Sequence, residues 1–86
     1  MDEQIRGRVV DGTGRAVAEA TAFVVRAPGP VPDLAAMSNA DGRFVIDGLA
    51  AGAYRLRAVG PDGGQGEADA RASAPDELVI RLSPAP

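Results

Sequence analysis

Turn-forming residues recur along this chain at short and fairly even intervals. Glycine, proline, asparagine and aspartate cluster at residues 11–14, 28–30, 39–42, 47–48, 51–52, 60–64 and 74–76. Most segments between these clusters hold about five to nine residues, which suits a strand and is too short for most helices. Short strands joined by regular turns predict a β-sandwich or a β-barrel.

Hydropathy alternation supports an all-β fold. Four segments alternate between apolar and polar residues, as a strand with one wet face does, at 5–9, 43–47, 54–58 and 77–82. In residues 54–58, Arg55 and Arg57 must point to water while Tyr54 and Leu56 point inward.

Four other segments lack a clean alternation. Residues 20–27 are apolar on both faces and predict a central strand, or one whose outer face is covered. Residues 15–20 are interpreted as a loop that enters this strand, because too little length remains for a stable helix. Residues 33–37 fit either a short strand or a helical turn, and residues 65–73 predict an edge strand.

Composition limits both the core and the partners. The 86 residues allow one domain over 1–86, and the core must use thin side chains, because the chain has one Tyr, two Phe and no Trp. The net charge is −3, and the nine positive charges are all arginines, scattered singly. We therefore expect no nucleic-acid binding. The excess of Ala, Gly and Arg without Lys is typical of a GC-rich bacterial genome.

No segment approaches the ~18 apolar residues of a membrane helix, so no membrane association is expected. The acidic start is not followed by an apolar run of signal-peptide length. This predicts a cytoplasmic protein, or an extracellular one if the chain belongs to a longer secreted protein.

Two stretches together are similar to carboxypeptidase regulatory-like domains. Residues 5–20 resemble the family's first strand, "G-x-V-x-D-x-x-G-x-P-V-x-x-A", and residues 39–58 resemble its segment "T-x-x-D-G-x-F-x-I-x-G-L-x-P-G-x-Y-x-L". Ala16 and Ala51 stand where the family has proline, which removes only turn rigidity. The resemblance implies a small Greek-key, transthyretin-like β-sandwich of about seven short strands, used as an accessory module.

The second stretch also predicts specific turns and core contacts. Asp41-Gly42 is interpreted as a hairpin turn, with the Asp41 carboxylate as its cap and glycine at positive φ. Gly52 should let the chain reverse into the next strand, and the Tyr54 hydroxyl should bond to backbone near a sandwich end. The residues assigned to structural turns and core are Asp41, Gly42, Phe44, Ile46, Gly48, Leu49, Gly52, Tyr54 and Leu56.

No reactive constellation is present, so we expect no enzyme activity and no cofactor. The chain has no His, Cys or Lys, which leaves a zinc site without ligands of the usual kind and a serine nucleophile without a base. The hydroxyisourate hydrolases of the related fold depend on His residues, and internal Lys–Asn cross-links need a lysine. A Ca²⁺ loop at 39–48 lacks its bidentate glutamate, because Gly48 falls there. Residues 62–66 are interpreted as a hairpin loop and not a phosphate cradle.

The only residues singled out for function are apolar ones that alternation places outward. If Ala22 and Val24 face the core, then Phe23 and Val25 face out, and the reverse assignment exposes Ala22 and Val24. With two residues of the next segment they would form a partner patch. The candidate patch consists of Phe23, Val25, Leu34 and Met37. The alternative is that the loop 28–33 folds over these side chains and buries them.

The leading hypothesis is a non-catalytic binding or accessory module that contacts a protein partner, possible partners including a second copy of the chain. Contact would use an apolar patch or an added strand at an exposed sheet edge. The alternatives are a carbohydrate- or ligand-binding sandwich and a structural spacer within a longer secreted protein.

Overall fold

The computed structural model describes residues 3–29, 35–72 and 77–84, and these residues form strands and loops without a helix. The all-β prediction is confirmed: two sheets pack into a small sandwich. The described residues hold seven strands, namely β1 (Glu3–Val10), β2 (Thr21–Arg26), β3 (Ala35–Met37), β4 (Arg43–Leu49), β5 (Ala53–Val59), β6 (Gln65–Arg71) and β7 (Leu78–Arg81).

One sheet has three strands in the order β4-β1-β7, and the other has four in the order β3-β2-β5-β6. β1 and β7 are parallel, and the other neighbouring strands are antiparallel. β2 lies between β3 and β5, as expected for the segment that is apolar on both faces. The ambiguous segment 33–37 contains the short strand β3, and β6 is the predicted edge strand. The loop at 60–64 connects β5 and β6 as a hairpin.

Inward-facing side chains of both sheets form one apolar core, and the predicted alternation is confirmed in all four segments. Tyr54 is buried, and its hydroxyl donates a hydrogen bond to the carbonyl oxygen of Ala50 at 2.6 Å, as expected for a tyrosine at a sandwich end. The core cluster consists of Ile5, Val9, Ala20, Ala22, Phe44, Ile46, Leu49, Tyr54, Leu56, Ala58, Ile80 and Leu82.

The turn predicted at Asp47-Gly48 is wrong, because both residues lie inside β4. Ile5 pairs with Ile46 and Glu3 pairs with Leu49, so β4 contains one extra residue between these pairs. This is a β-bulge, with Gly48 at φ 77°. The extra residue shifts the alternation by one position, and Leu49 therefore faces the core, where it was expected.

The hairpin predicted at Asp41-Gly42 is also wrong, because the strands on either side belong to different sheets. The turn instead carries the chain from β3 across the sandwich to β4. Its cap is Asn39 and not Asp41: Asn39 Oδ1 accepts hydrogen bonds from the backbone N–H groups of Asp41 and Arg43 at 2.9 and 3.0 Å. Gly42 does have the predicted positive φ, 76°.

Ser38 holds the loop before β2 against the end of β3. Its side chain is buried and accepts a hydrogen bond from the Ala20 N–H while donating one to the Val17 carbonyl oxygen, at 2.9 and 2.6 Å. Two backbone bonds, between Ser38 and Ala20 and between Glu19 and Ser38, reinforce the contact. The hydroxyl, N–H and C=O groups of the buried Ser38 thus all have hydrogen-bond partners.

Gly7 is the cross-strand partner of Phe44, and the Phe44 ring lies over it. A Cβ atom on Gly7 would overlap the far end of that ring, which is itself buried in the core. Because Gly7 of β1 has no side chain, there is space for the ring of Phe44, the largest side chain of β4.

We therefore expect Gly7→Ala to lower the free energy of unfolding by about 1–3 kcal/mol through overpacking, measured by urea denaturation. In a Phe44→Leu background the added methyl has room, so its cost should fall. Gly12→Ala is the control, because its Cβ would meet nothing within 4 Å. Equal costs for Gly7→Ala in both backgrounds would contradict the proposed contact.

Candidate interaction surface on the four-stranded sheet

Phe23 lies on the outer face of β2, because Ala22 and Val24 face the core. Val25 is the extra residue at an irregularity between Val24 and Arg26, after which Arg26 pairs with Arg55. Val25 is 39% exposed and Phe23 is half-buried. The first of the two alternatives left open by the alternation is therefore the one that the structure has.

Met37 lies on the same outer face at β3 and is 64% exposed. It pairs with Thr21, while Phe23 pairs with Ala35, so Met37 and Phe23 are diagonal neighbours within reach of long side chains. We call Phe23, Val25 and Met37 the apolar strip. Leu34, the fourth residue of the predicted patch, lies outside the described residues.

A network of charged side chains adjoins the apolar strip on β5 and β6. Arg57 is the cross-strand partner of both Phe23 and Glu67. Arg57 Nε and Nη2 donate to Glu67 Oε2 at 2.9 and 2.6 Å, and Arg55 Nε donates to Glu67 Oε1 at 2.7 Å. Arg55 Nη1 also donates to Asp69 Oδ1 at 2.9 Å. Both arginines lie on the predicted outer face, but each is paired with an acid of β6.

The hydrogen bonds favour the charged forms of Glu67 and Arg55. The guanidinium of Arg57, followed by that of Arg55, lowers the pKa of Glu67 below the ordinary glutamate value. Hydrogen bonds to Glu67 and then to Asp69 raise the pKa of Arg55. Glu67 and Arg55 are therefore held in their charged forms, and the hydrogen bonds fix the polar border of the strip.

Because the folded-state pKa of Glu67 is depressed, its contribution to stability is present above the unfolded pKa. That contribution is lost as the pH falls through the folded pKa. Glu67→Gln should therefore lower the free energy of unfolding at neutral pH, and the difference from the unmodified chain should shrink in acid. Denaturation curves across a pH series would measure it.

Glu77→Gln is the matched control. It removes a single longer contact, from Glu77 Oε2 to Arg43 Nε at 3.3 Å, and should cost less stability. An effect of Glu67→Gln that is constant from neutral pH into acid would show that the network does not stabilise the fold through this carboxylate.

The outer face of the three-stranded sheet is arranged differently. Val45 and Val79 are 46% and 55% exposed, but Arg6 of β1 pairs with Val45 and Arg8 pairs with Val79. The arginines of the central strand thus separate the two valines. Among the described residues, the four-stranded sheet presents the more continuous apolar surface.

Within the described part of the chain, no three acidic side chains lie together as metal ligands would. Glu67 and Asp69 lie together on β6, but each already accepts hydrogen bonds from an arginine of β5. The Asp62 carboxylate instead caps its own turn by accepting from the Gly64 N–H at 3.0 Å. No helix that could cross a membrane occurs in the described ranges.

The family model for the carboxypeptidase regulatory-like domain matches residues 4–83. The chain belongs to this family. The match confirms the resemblance seen in residues 5–58 and extends it through β6 and β7. Carboxypeptidase regulatory-like domains are non-catalytic sandwiches of the transthyretin-like kind and often serve as accessory modules. No curated protein matches the chain significantly.

Sequence reasoning missed the network of Arg55, Arg57, Glu67 and Asp69. The four residues alternate on two segments joined by one hairpin loop, so the signal was present as two matching period-2 patterns. Which arginine meets which acid depends on the register, which the hairpin sets.

Proposed function

We propose that this carboxypeptidase regulatory-like domain is a non-catalytic binding module that contacts a partner protein through its apolar strip. The observation that carries the proposal is the grouping of Phe23, Val25 and Met37 on one sheet face, with Met37 among the most exposed large apolar side chains described. Exposed apolar groups that lie together favour an interface over isolated surface residues.

The border of the strip supports a protein partner. Arg55, Arg57 and Glu67 form a charged margin beside the apolar side chains, which resembles the apolar centre and polar rim of protein interfaces. Because the arginines are already paired, a partner would not have to neutralise them. Its contacts would come from shape and from apolar area.

A carbohydrate partner has less support. Sugar-binding surfaces commonly stack the ligand on exposed aromatic rings, and Phe44 and Tyr54 are both buried in the core. Phe23 is the remaining aromatic residue of the chain, and it is only half-exposed. Robust binding on a glycan array would favour the carbohydrate alternative.

Affinity capture from the native organism, with quantitative mass spectrometry, would test the protein-binding proposal. We expect Met37→Glu and Phe23→Arg each to remove the specifically captured proteins, because both place a charge in the strip. Val79→Glu is the control, since it makes a similar change at an exposed position of the other sheet. Thermal melts of each variant would establish that the domain is folded.

Capture of the same proteins by Met37→Glu, Phe23→Arg and the unmodified domain would contradict the proposal. Loss of capture on Val79→Glu alone would move the binding surface to the three-stranded sheet.

A further inference from the structure

The edge strand β6 has a row of main-chain groups that face away from its sheet. Gln65 exchanges two backbone hydrogen bonds with Ser83, at 3.1 and 2.8 Å, so the Gln65 N–H and C=O point away from β5. The direction of these groups alternates along an antiparallel strand. Those of Glu67, Asp69 and Arg71 therefore point the same way as those of Gln65.

Beyond the bridge at Gln65, β7 stays against β6 at Gly66, where an added Cβ atom would overlap the Arg81 carbonyl oxygen. A cleft of about 250 Å³ lies between the far half of β6 and the start of β7, and among the described strands β6 pairs with β5 alone, apart from the bridge between Gln65 and Ser83. The cleft is lined by Ile5, Arg6, Asp69, Ala70, Arg71, Glu77, Leu78 and Val79. Within the described ranges, the far half of this edge, at Asp69 and Arg71, can thus pair with another strand.

The other long edge is protected. On β4, the Arg43 carbonyl oxygen accepts from the Asn39 N–H at 2.9 Å, and the Arg43 N–H donates to Asn39 Oδ1 at 3.0 Å. The bulge at Gly48 interrupts the same edge at its far end. The two remaining edge strands are short, with three residues in β3 and four in β7, which leaves β6 as the best place for strand addition among the described strands.

We propose that a second copy of the chain adds its β6 antiparallel to this β6, with Ala70 opposite Ala70 of the second copy. In this register Asp69 lies opposite Arg71 of the second copy, and Arg71 lies opposite its Asp69. Two reciprocal ion pairs form on the outer face, as the twofold symmetry of a homodimer requires. On the inner face, small alanines meet over the apolar floor of the cleft.

Charge selects this register from its neighbours. The next register in one direction places Asp69 opposite Asp69, although it also sets each Glu67 opposite an Arg71. The next register in the other direction places Arg71 opposite Arg71. Like charges directly opposite each other destabilise a strand pair. The chosen register pairs every opposed charge with its opposite within residues 68–72.

The resulting assembly is a continuous eight-stranded sheet with both outer faces on one side. The added contact is short, so association should be weak and depend on concentration. The proposal is independent of the partner-binding role of the apolar strip, because no strip residue lies on β6.

Sedimentation velocity on the full chain, over a concentration series up to about 1 mM, would test the dimer. We expect a monomer–dimer equilibrium that Arg71→Asp weakens about tenfold, since two opposite-charge pairs become like-charge pairs. Asp69→Arg should weaken it similarly, and Asp69→Arg combined with Arg71→Asp should restore it. Circular dichroism melts would distinguish a loss of folding stability from a loss of dimerisation. This control is needed because Asp69→Arg also removes the contact with Arg55.

Arg15→Asp makes the same charge change in the loop before β2, at an exposed residue that does not line the cleft, and should leave the dimer constant unchanged. A chain that stays monomeric at about 1 mM would overturn the proposal. A dimer that Arg71→Asp does not weaken, one that the double exchange does not restore, or one that Arg15→Asp dissociates would overturn it as well.

Discussion

The two sheets can approach closely because small residues stand wherever a larger side chain would hold them apart. Ala20, Ala22 and Ala58 are fully buried between the sheets, and Gly7 leaves room for the Phe44 ring. A core with few aromatic rings gains little apolar area per residue, so close packing must supply the dispersion contacts instead. The alternation of side chains along each strand, the bulge in β4 and the turn between β3 and β4 keep the core residues facing inward.

Local patterns were enough to predict the strands, because a strand that is buried on one face alternates between apolar and polar residues. Residues 54–58 show this directly, and even the hydroxyl contact of Tyr54 followed from its place at a strand start. The turn prediction at Asp47-Gly48 was wrong because it relied on the turn propensity of the dipeptide alone. Pairing of β4 with the distant β1 makes these residues part of a bulge. Sheet membership is equally non-local, and it changed the role of the turn at 39–42.

For the candidate surface, the sequence predicted which apolar residues point outward but not which neighbours they have. The cross-strand neighbours of Phe23 are Ala35 on β3 and Arg57 on β5, and each is set by the register of a different strand pair. The ion pairs of β5 and β6, and the buried hydroxyl of Ser38, likewise join residues that are distant in sequence. Such contacts follow from the packing of whole strands, and the composition of each strand alone does not determine them.

Tyr54 gives the domain a built-in optical probe. It is the sole tyrosine, and the chain has no tryptophan, so near-ultraviolet emission arises essentially from one ring held against the core. That ring is anchored to the chain just before β5 by its bond to Ala50. Loosening of this sandwich end would therefore change the fluorescence of an unlabelled sample before the strands themselves separate.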